Sequence, residues 1–449
     1  MRAEITILIY FVFIVSIGIY SAFKIKSPAD YYVAGKKAGL ISVSGSLLAT
    51  ILGGSAILGT IELSQNIGWA ALWFLFCAAF GLFVLVPFSK YLKKYGNYTL
   101  PELLGSFYGK KAETISSLII PVAWLGIVAA QIIAAAKILS GLGYISYSSS
   151  AIIAGVIFIF YTLLGGQLSI LKTDTLQSVL ILVGLIALII FSVGNPTFDN
   201  TNKLELNKLF NETFTPFDLV ILILTYSVTF VVGPDIYSRV FCAKNAKVAA
   251  KSILVVAIVL VPVSFGLTFL GIYSQQFNNS GIITFASNLL PEWAYGLFIA
   301  ALLSAVMSSA DTTLLTSSMI LNELFTGNLN SARSLRTTRW LVLFMGITSI
   351  ITALFINSII QALLFALTIF SGALIVPTLA GLLKIRVENN RVIYAIIAGG
   401  LVALTGKVIH DFFHVTFGNI TIILSYFVNI VILLTKKKST RKRMISNQM

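Results

Sequence analysis

Charge is scarce in this chain, and histidine and cysteine are nearly absent. Asp, Glu, Lys and Arg make up 10% of its 449 residues, where soluble domains carry about 25%. So little charge cannot coat a surface facing water, which leaves a multispanning membrane protein as the class. The two cysteines, Cys77 and Cys242, fall in or beside different apolar runs and argue against a disulfide framework or a zinc site. His410 and His414 are the only histidines. A metal centre there would lack further ligands, and both are read as rim residues. No G-x-x-x-x-G-K-[ST] stretch occurs, so ATP hydrolysis on this chain is not expected.

What is present is apolar. Hydrophobic residues reach 57%, with 32 Phe and 33 Gly. Segments near the roughly 20 residues that cross a hydrocarbon core fall at 5–23, 41–61, 67–88, 115–138, 149–165, 173–193, 217–238, 248–273, 291–312, 338–357, 362–383, 391–409 and 413–435. The first lacks a small-residue cleavage pattern and is read as a span, not a leader. The segment at 149–165 is short. Gly53-Gly54 interrupts the one beginning at 41, and Gly233-Pro234 the one beginning at 217.

Charge placement sets the direction. With the N-terminus outside, the inward stretches are 24–40, 89–114, 166–172, 239–251, 313–339, 384–391 and the tail from 436. They hold 26 of the 31 Lys and Arg, the bias of cytoplasmic loops. The formal charge of +15 therefore needs no nucleic acid. It places the basic loops and the tail "KKKSTRKRM" beside anionic lipid headgroups on the cytoplasmic side of the cell membrane. In this assignment no arginine falls in the interior of a span; Arg339 and Arg391 stand at span ends. No soluble or enzyme domain, cofactor or obligate protein partner is indicated. A bundle of this kind transports solutes, conducts ions or senses.

Interrupted helices at matching places of two halves mark inverted-repeat transporters. After the first span, five spans (41–193) start inward and five (217–384) start outward, and each half opens on its interrupted helix. The expected organisation is an extra helix and loop (1–40), the first repeat, an outer loop (194–216), the second repeat, two further helices (385–435) and a basic tail (436–449). The fold class is all-α and polytopic, with about thirteen membrane helices in a five-plus-five inverted repeat whose first helices are broken.

A break frees backbone carbonyls that must find partners at bilayer depth. Sodium accepts carbonyl and hydroxyl oxygens alike, and the run "SAVMSSADTTLLTSS" (304–318) sets Ser308 and Ser309 in an otherwise apolar segment. Serine in a membrane helix often only bonds back to its own helix. An acid, Asp311, within so dense a polar run favours an ion site.

The stretches "ADYYVAGKKAG" (29–39), "LLATILGGSAILG" (47–59), "YTLLGGQLSILKTDTLQ" (161–177), "GPDIYSR" (233–239) and "LLSAVMSSADTTLL" (302–315) resemble the sodium:solute symporter family, which includes proline, pantothenate, sialic acid and sugar cotransporters. The resemblance implies sodium as the coupling ion and a main sodium site of the carbonyls of Ala49, Leu52 and Ala305 and the hydroxyls of Ser308 and Ser309. It also implies a possible second sodium at Asp174, Asp311 and Thr312, although Asp at 311 departs from the usual hydroxyl. A cap on the helix from Thr175 is the structural reading of Asp174.

Between the breaks, the resemblance places a small organic solute against Ser55, Ala56, Gln131, Tyr226 and Phe230. Ala56 stands where sugar members carry Gln, which disfavours a sugar and leaves an amino acid or organic acid as the expected solute. A sodium/sugar cotransporter, or a channel or sensor without coupled transport, are the alternatives.

Overall fold

The computed structural model describes residues 3–96, 98–194, 206–275, 281–327, 329–356 and 358–435. The basic tail and most of the outer loop 194–216 lie outside the described residues. Among those described, the chain is helical with no strand, and the helices run in order. They are α1 (Ala3–Ala22), α2 (Pro28–Val33), α3 (Leu40–Ile51), α4 (Gly54–Ile67), α5 (Leu72–Leu85), α6 (Ser89–Tyr95), α7 (Leu100–Tyr108), α8 (Lys110–Gly141) and α9 (Tyr147–Val193). After the outer loop come α10 (Pro216–Leu222), α11 (Val228–Val232), α12 (Pro234–Cys242), α13 (Ala246–Gln275), α14 (Ile282–Leu289) and α15 (Glu292–Thr326). The chain continues through α16 (Ala332–Phe355), α17 (Ile359–Leu382), α18 (Asn389–Phe412) and α19 (Val415–Leu434).

Eleven helical stretches of the described residues are long and apolar enough to cross a membrane. The expected thirteen-span division cuts two of them, between residues 61 and 67 and between 165 and 173, and the structure bends at or near these places at Gly68 and Gly166. Both glycines have positive φ, 61° and 54°, a region open to glycine and strained for other residues. Gly166 is also crowded, since a Cβ there would lie 2.5 Å from the Tyr31 ring. The helix resumes directly after Gly166, so the expected loop 166–172 is helical.

A second boundary also moves. The span expected to end at residue 312 continues as α15 to Thr326. Its polar run stays helical because many of its hydroxyls bond back one turn: Thr312 to Ser308 O at 2.8 Å, Thr313 to Ser309 O at 2.7 Å and Ser317 to Thr313 O at 2.8 Å.

Capping residues mark where the chain turns outside the spans. Ser27 and Asp30 form a reciprocal capping box at α2, with Pro28 at the first helical position, and Thr215, Pro216 and Asp218 repeat the device at α10. α15 is almost wholly buried and packs against α1, α3, α4, α8, α9 and α16, which makes it the centre of the bundle. α1 and the pair α18 and α19 expose rows of large apolar side chains, such as Leu8, Phe13, Leu401 and Phe427, as a lipid-facing periphery requires.

Both expected interruptions are present. α3 gives way to α4 at Leu52 and Gly53, and α11 to α12 at Gly233. Their far ends are tied together by two backbone hydrogen bonds, Ala38 N to Cys242 O and Lys244 N to Ala38 O, both 3.0 Å. Lys93 Nζ adds bonds to the α12 carbonyls Phe241 O (3.1 Å) and, just beyond, Ala243 O (2.6 Å). A cation at a helix C-terminus is favoured by the helix dipole.

Candidate functional site

The first interruption lies flush against α15. The last bond of the α3 ladder runs from Leu52 N to Leu48 O at 2.8 Å, and the next begin from Ala56 and Ile57 to Gly53 O. The carbonyls between lose their helical donors. Ser309 Oγ of α15 crosses over to one of them, Thr50 O, at 2.5 Å. Ser55 N, at the start of α4, donates to Gln131 Oε1 at 3.3 Å, and Gln131 Nε2 donates to Ser55 Oγ at 2.7 Å. Glycine is required because of closeness, not φ. A Cβ at Gly53 would stand 2.1 Å from Ser309 Oγ, and one at Gly54 would stand 2.1 Å from Val306 Cγ2.

The hydroxyls of 304–318 thus divide into three kinds. Ser304, Thr312, Thr313 and Ser317 bond back to carbonyls of their own helix. Ser309 reaches the break. Ser308 is 0% exposed, its Oγ has no hydrogen-bond partner, and it is aimed toward the Asp174 carboxylate without closing a bond to it. Thr316 and Ser318 also carry unpartnered buried hydroxyls, but two turns or more beyond the break. An unsatisfied hydroxyl in a membrane interior is costly, and a cation beside Ser308 would satisfy it. The structure brings Ser308 and Ser309 to α3; Ala49, Leu52 and Ala305 are all buried there, in helices that pack on one another.

Beside Ser308 lies a network in which sequence reasoning missed a residue. Arg239, assigned to a cytoplasmic loop, is inside α12 and 0% exposed. Its Nη2 bonds Asp174 Oδ2 at 3.1 Å and also Thr312 Oγ1, its Nε bonds Ser46 Oγ at 3.0 Å, and its Nη1 bonds Ser238 Oγ at 3.0 Å. Ser46 Oγ donates to Asp174 Oδ2 at 2.5 Å.

Two expectations change as a result. Asp174 does not cap a helix, because α9 runs through it unbroken from Gly166. The second-sodium set is not an open cation position: a guanidinium already bridges Asp174 and Thr312, while Asp311 turns away to accept from Thr162 Oγ1 at 3.1 Å. The spacing in "GPDIYSR" held the missed signal. After a break at Gly233 and Pro234, residue 239 falls in the second turn of a new helix and still within the bundle.

The five residues expected around the solute line one cavity, of about 60 Å³. Ser55 and Ala56 come from α4 and Gln131 from α8. Tyr226 and Phe230 follow α10. Thr50, Trp124, Asp235, Ser309 and Thr313 share the lining. Tyr226 sits in a π-turn over Ile223–Ser227, a wider winding that recurs at functional sites, and Tyr426 Oη of α19 donates to the Leu224 carbonyl within it. The Tyr226 ring stacks on Phe74 at 4.2 Å between centroids and meets Phe230 edge-on at 5.0 Å. Ser309 belongs to both the break and the cavity, so one hydroxyl joins the two.

A bundle with two opposed interruptions, a hydroxyl crossing from a central helix into the first, and a lined cavity between them is the architecture of a cation-coupled secondary transporter. The profile of the sodium:solute symporter family matches residues 31–399, and the chain belongs to that family. It is similar to the sodium/pantothenate symporter of Escherichia coli (strain K12), 24% identical over 425 residues, which cover 87% of this chain and 88% of that one. It is also similar to the sodium/proline symporter of Haemophilus influenzae, 26% identical over 359 residues, 72% and 70% of the two chains. A solved substrate-bound, outward-open Na+-coupled sialic acid symporter has the same fold, with a TM-score of 0.75 at 16% identity over 96% of this chain and 98% of that one.

Proposed function

We propose that the chain takes up a small organic solute by sodium-coupled symport, with sodium bound where α15 meets the first interruption. The observation that carries the placement is the pair Ser308 and Ser309: one buried hydroxyl without a partner, the next bonded to a carbonyl of the break. The carbonyls of Ala49, Leu52 and Ala305 complete the set by family resemblance. The shared residue Ser309 supports the coupling, since an ion that orders Ser309 also orders the wall of the solute cavity. Arg239 occupies the second cluster as a built-in cation, which favours one sodium per cycle. The basic loops support an external N-terminus and a cytoplasmic C-terminus.

Sodium binding is checked on purified protein. A ligand of the folded state stabilises it, by about 2.7 kcal/mol at a concentration 100 times Kd. Thermal unfolding in sodium chloride is expected several degrees above that in potassium chloride at equal ionic strength. Equal midpoints across the two salts would remove the sodium site.

A further inference from the structure

We infer that the solute of this symporter carries a positive charge, a protonated or quaternary amine recognised by Asp235 within the aromatic-walled cavity. The inference rests on the symporter reading and narrows its substrate. Asp235 is the only charged side chain among those lining the cavity, and no lysine or arginine of the described residues forms a salt bridge with it, Arg239 acting on it only from beyond contact distance. Arg239, four residues along the same helix, is committed to Asp174, Ser46, Thr312 and Ser238. Unlike Asp174 and Asp311, Asp235 is only half-buried. It stands in the first turn of α12.

The rest of the lining fits the same class. Trp124, Tyr226 and Phe230 line the cavity, one face of Tyr226 being taken by Phe74, and aromatic rings attract an ammonium group. Ser55 and Gln131 supply a hydroxyl and an amide for a polar end. A carboxylate solute would find no cationic side chain in the lining and one like charge, a juxtaposition that costs binding free energy. Of the solutes expected from sequence, an amino acid meets Asp235 through its ammonium group, whereas an organic acid without an amine does not.

The full chain in detergent with saturating sodium, tested by thermal shift and by competition, separates the possibilities. The panel pairs choline with its tert-butyl isostere, the neutral alcohol in which carbon replaces the ammonium nitrogen. It likewise pairs ethanolamine with propanol, and adds pantothenate and proline. At least one cation is expected to bind about tenfold or more tightly than its neutral partner. That preference should collapse in Asp235→Asn and persist in Asp235→Glu, with stabilisation by sodium unchanged in both. Sodium stabilisation with no cation preferred over its isostere, or a cation preference that survives Asp235→Asn, would overturn the inference. Failure of sodium itself to stabilise the wild-type chain would instead sink the symporter reading beneath it.

Discussion

Ser308→Ala and Ser309→Ala will each weaken sodium affinity by about one to two orders of magnitude and leave the fold intact. Loss of a group that satisfies a buried charge costs roughly 1.5–3 kcal/mol, and the change removes one oxygen with little volume. The two variants should differ in kind. Ser308 closes no hydrogen bond and faces only the Asp174 carboxylate, so its effect falls chiefly on the ion. Ser309 also releases the Thr50 carbonyl and forms part of the cavity wall, so Ser309→Ala should weaken solute binding more. Coupling between two ligands is reciprocal. Apparent solute affinity at subsaturating sodium therefore falls in both variants, and high sodium restores much of it. Ser317→Ala is the control, since Ser317 bonds only to Thr313 O and Leu314 O of its own helix. Sodium titrations of thermal stability and uptake read all three. Unchanged sodium dependence in the first two, with failure of the third, would move the site.

Arg239→Met will be the most destabilising single change in the centre of the bundle. It leaves the Asp174 carboxylate, 1% exposed, without a counter-charge, and breaking one side of a buried pair costs about 3–5 kcal/mol. Asp174→Asn strands the guanidinium in the same way. The double variant, with no charge left to bury, should recover much of the loss, because replacing both partners of a buried pair is often nearly neutral. Arg239→Lys keeps the charge but loses the fork that holds Asp174, Ser46 and Thr312 together, so an intermediate result is expected. A double-mutant cycle on unfolding midpoints measures the coupling directly. Additive effects of the two single changes would show that the pair does not act as a unit.

The architecture was legible in sequence because its constraints are long-range and crude. Spans need length and apolarity, and the breaks need Gly53-Gly54 and Gly233-Pro234. Ser308 and Ser309 were legible because hydroxyls beside an acid are conspicuous at bilayer depth. Three features were hidden for physical reasons. The run after residue 312 reads as a loop by polarity, yet hydroxyls bonding to i−4 carbonyls let α15 continue to Thr326. The stretch 166–172 reads as a loop by its glycine pair and lysine, yet one positive-φ glycine is the only non-helical residue in α9. Arg239 reads as a cytoplasmic charge because hydropathy scores a residue alone, and its partners Asp174 and Ser46 lie 65 and 193 residues away. The role of Asp235 depends on the same three-dimensional fact, since only Arg239's commitment elsewhere leaves that acid to the cavity.

Sodium-driven accumulation tests the central claim most directly. Protein reconstituted into liposomes is given an inward sodium gradient and the tightest-binding labelled solute from the amine panel. Accumulation above the equilibrium level is expected, collapsing when sodium is equal on both sides, and rising with external sodium along a curve with a Hill coefficient near one. Single occupancy is the expectation of the reading in which Arg239 fills the second cluster. Uptake indifferent to the sodium gradient, or a sodium current that flows without solute, would contradict the account.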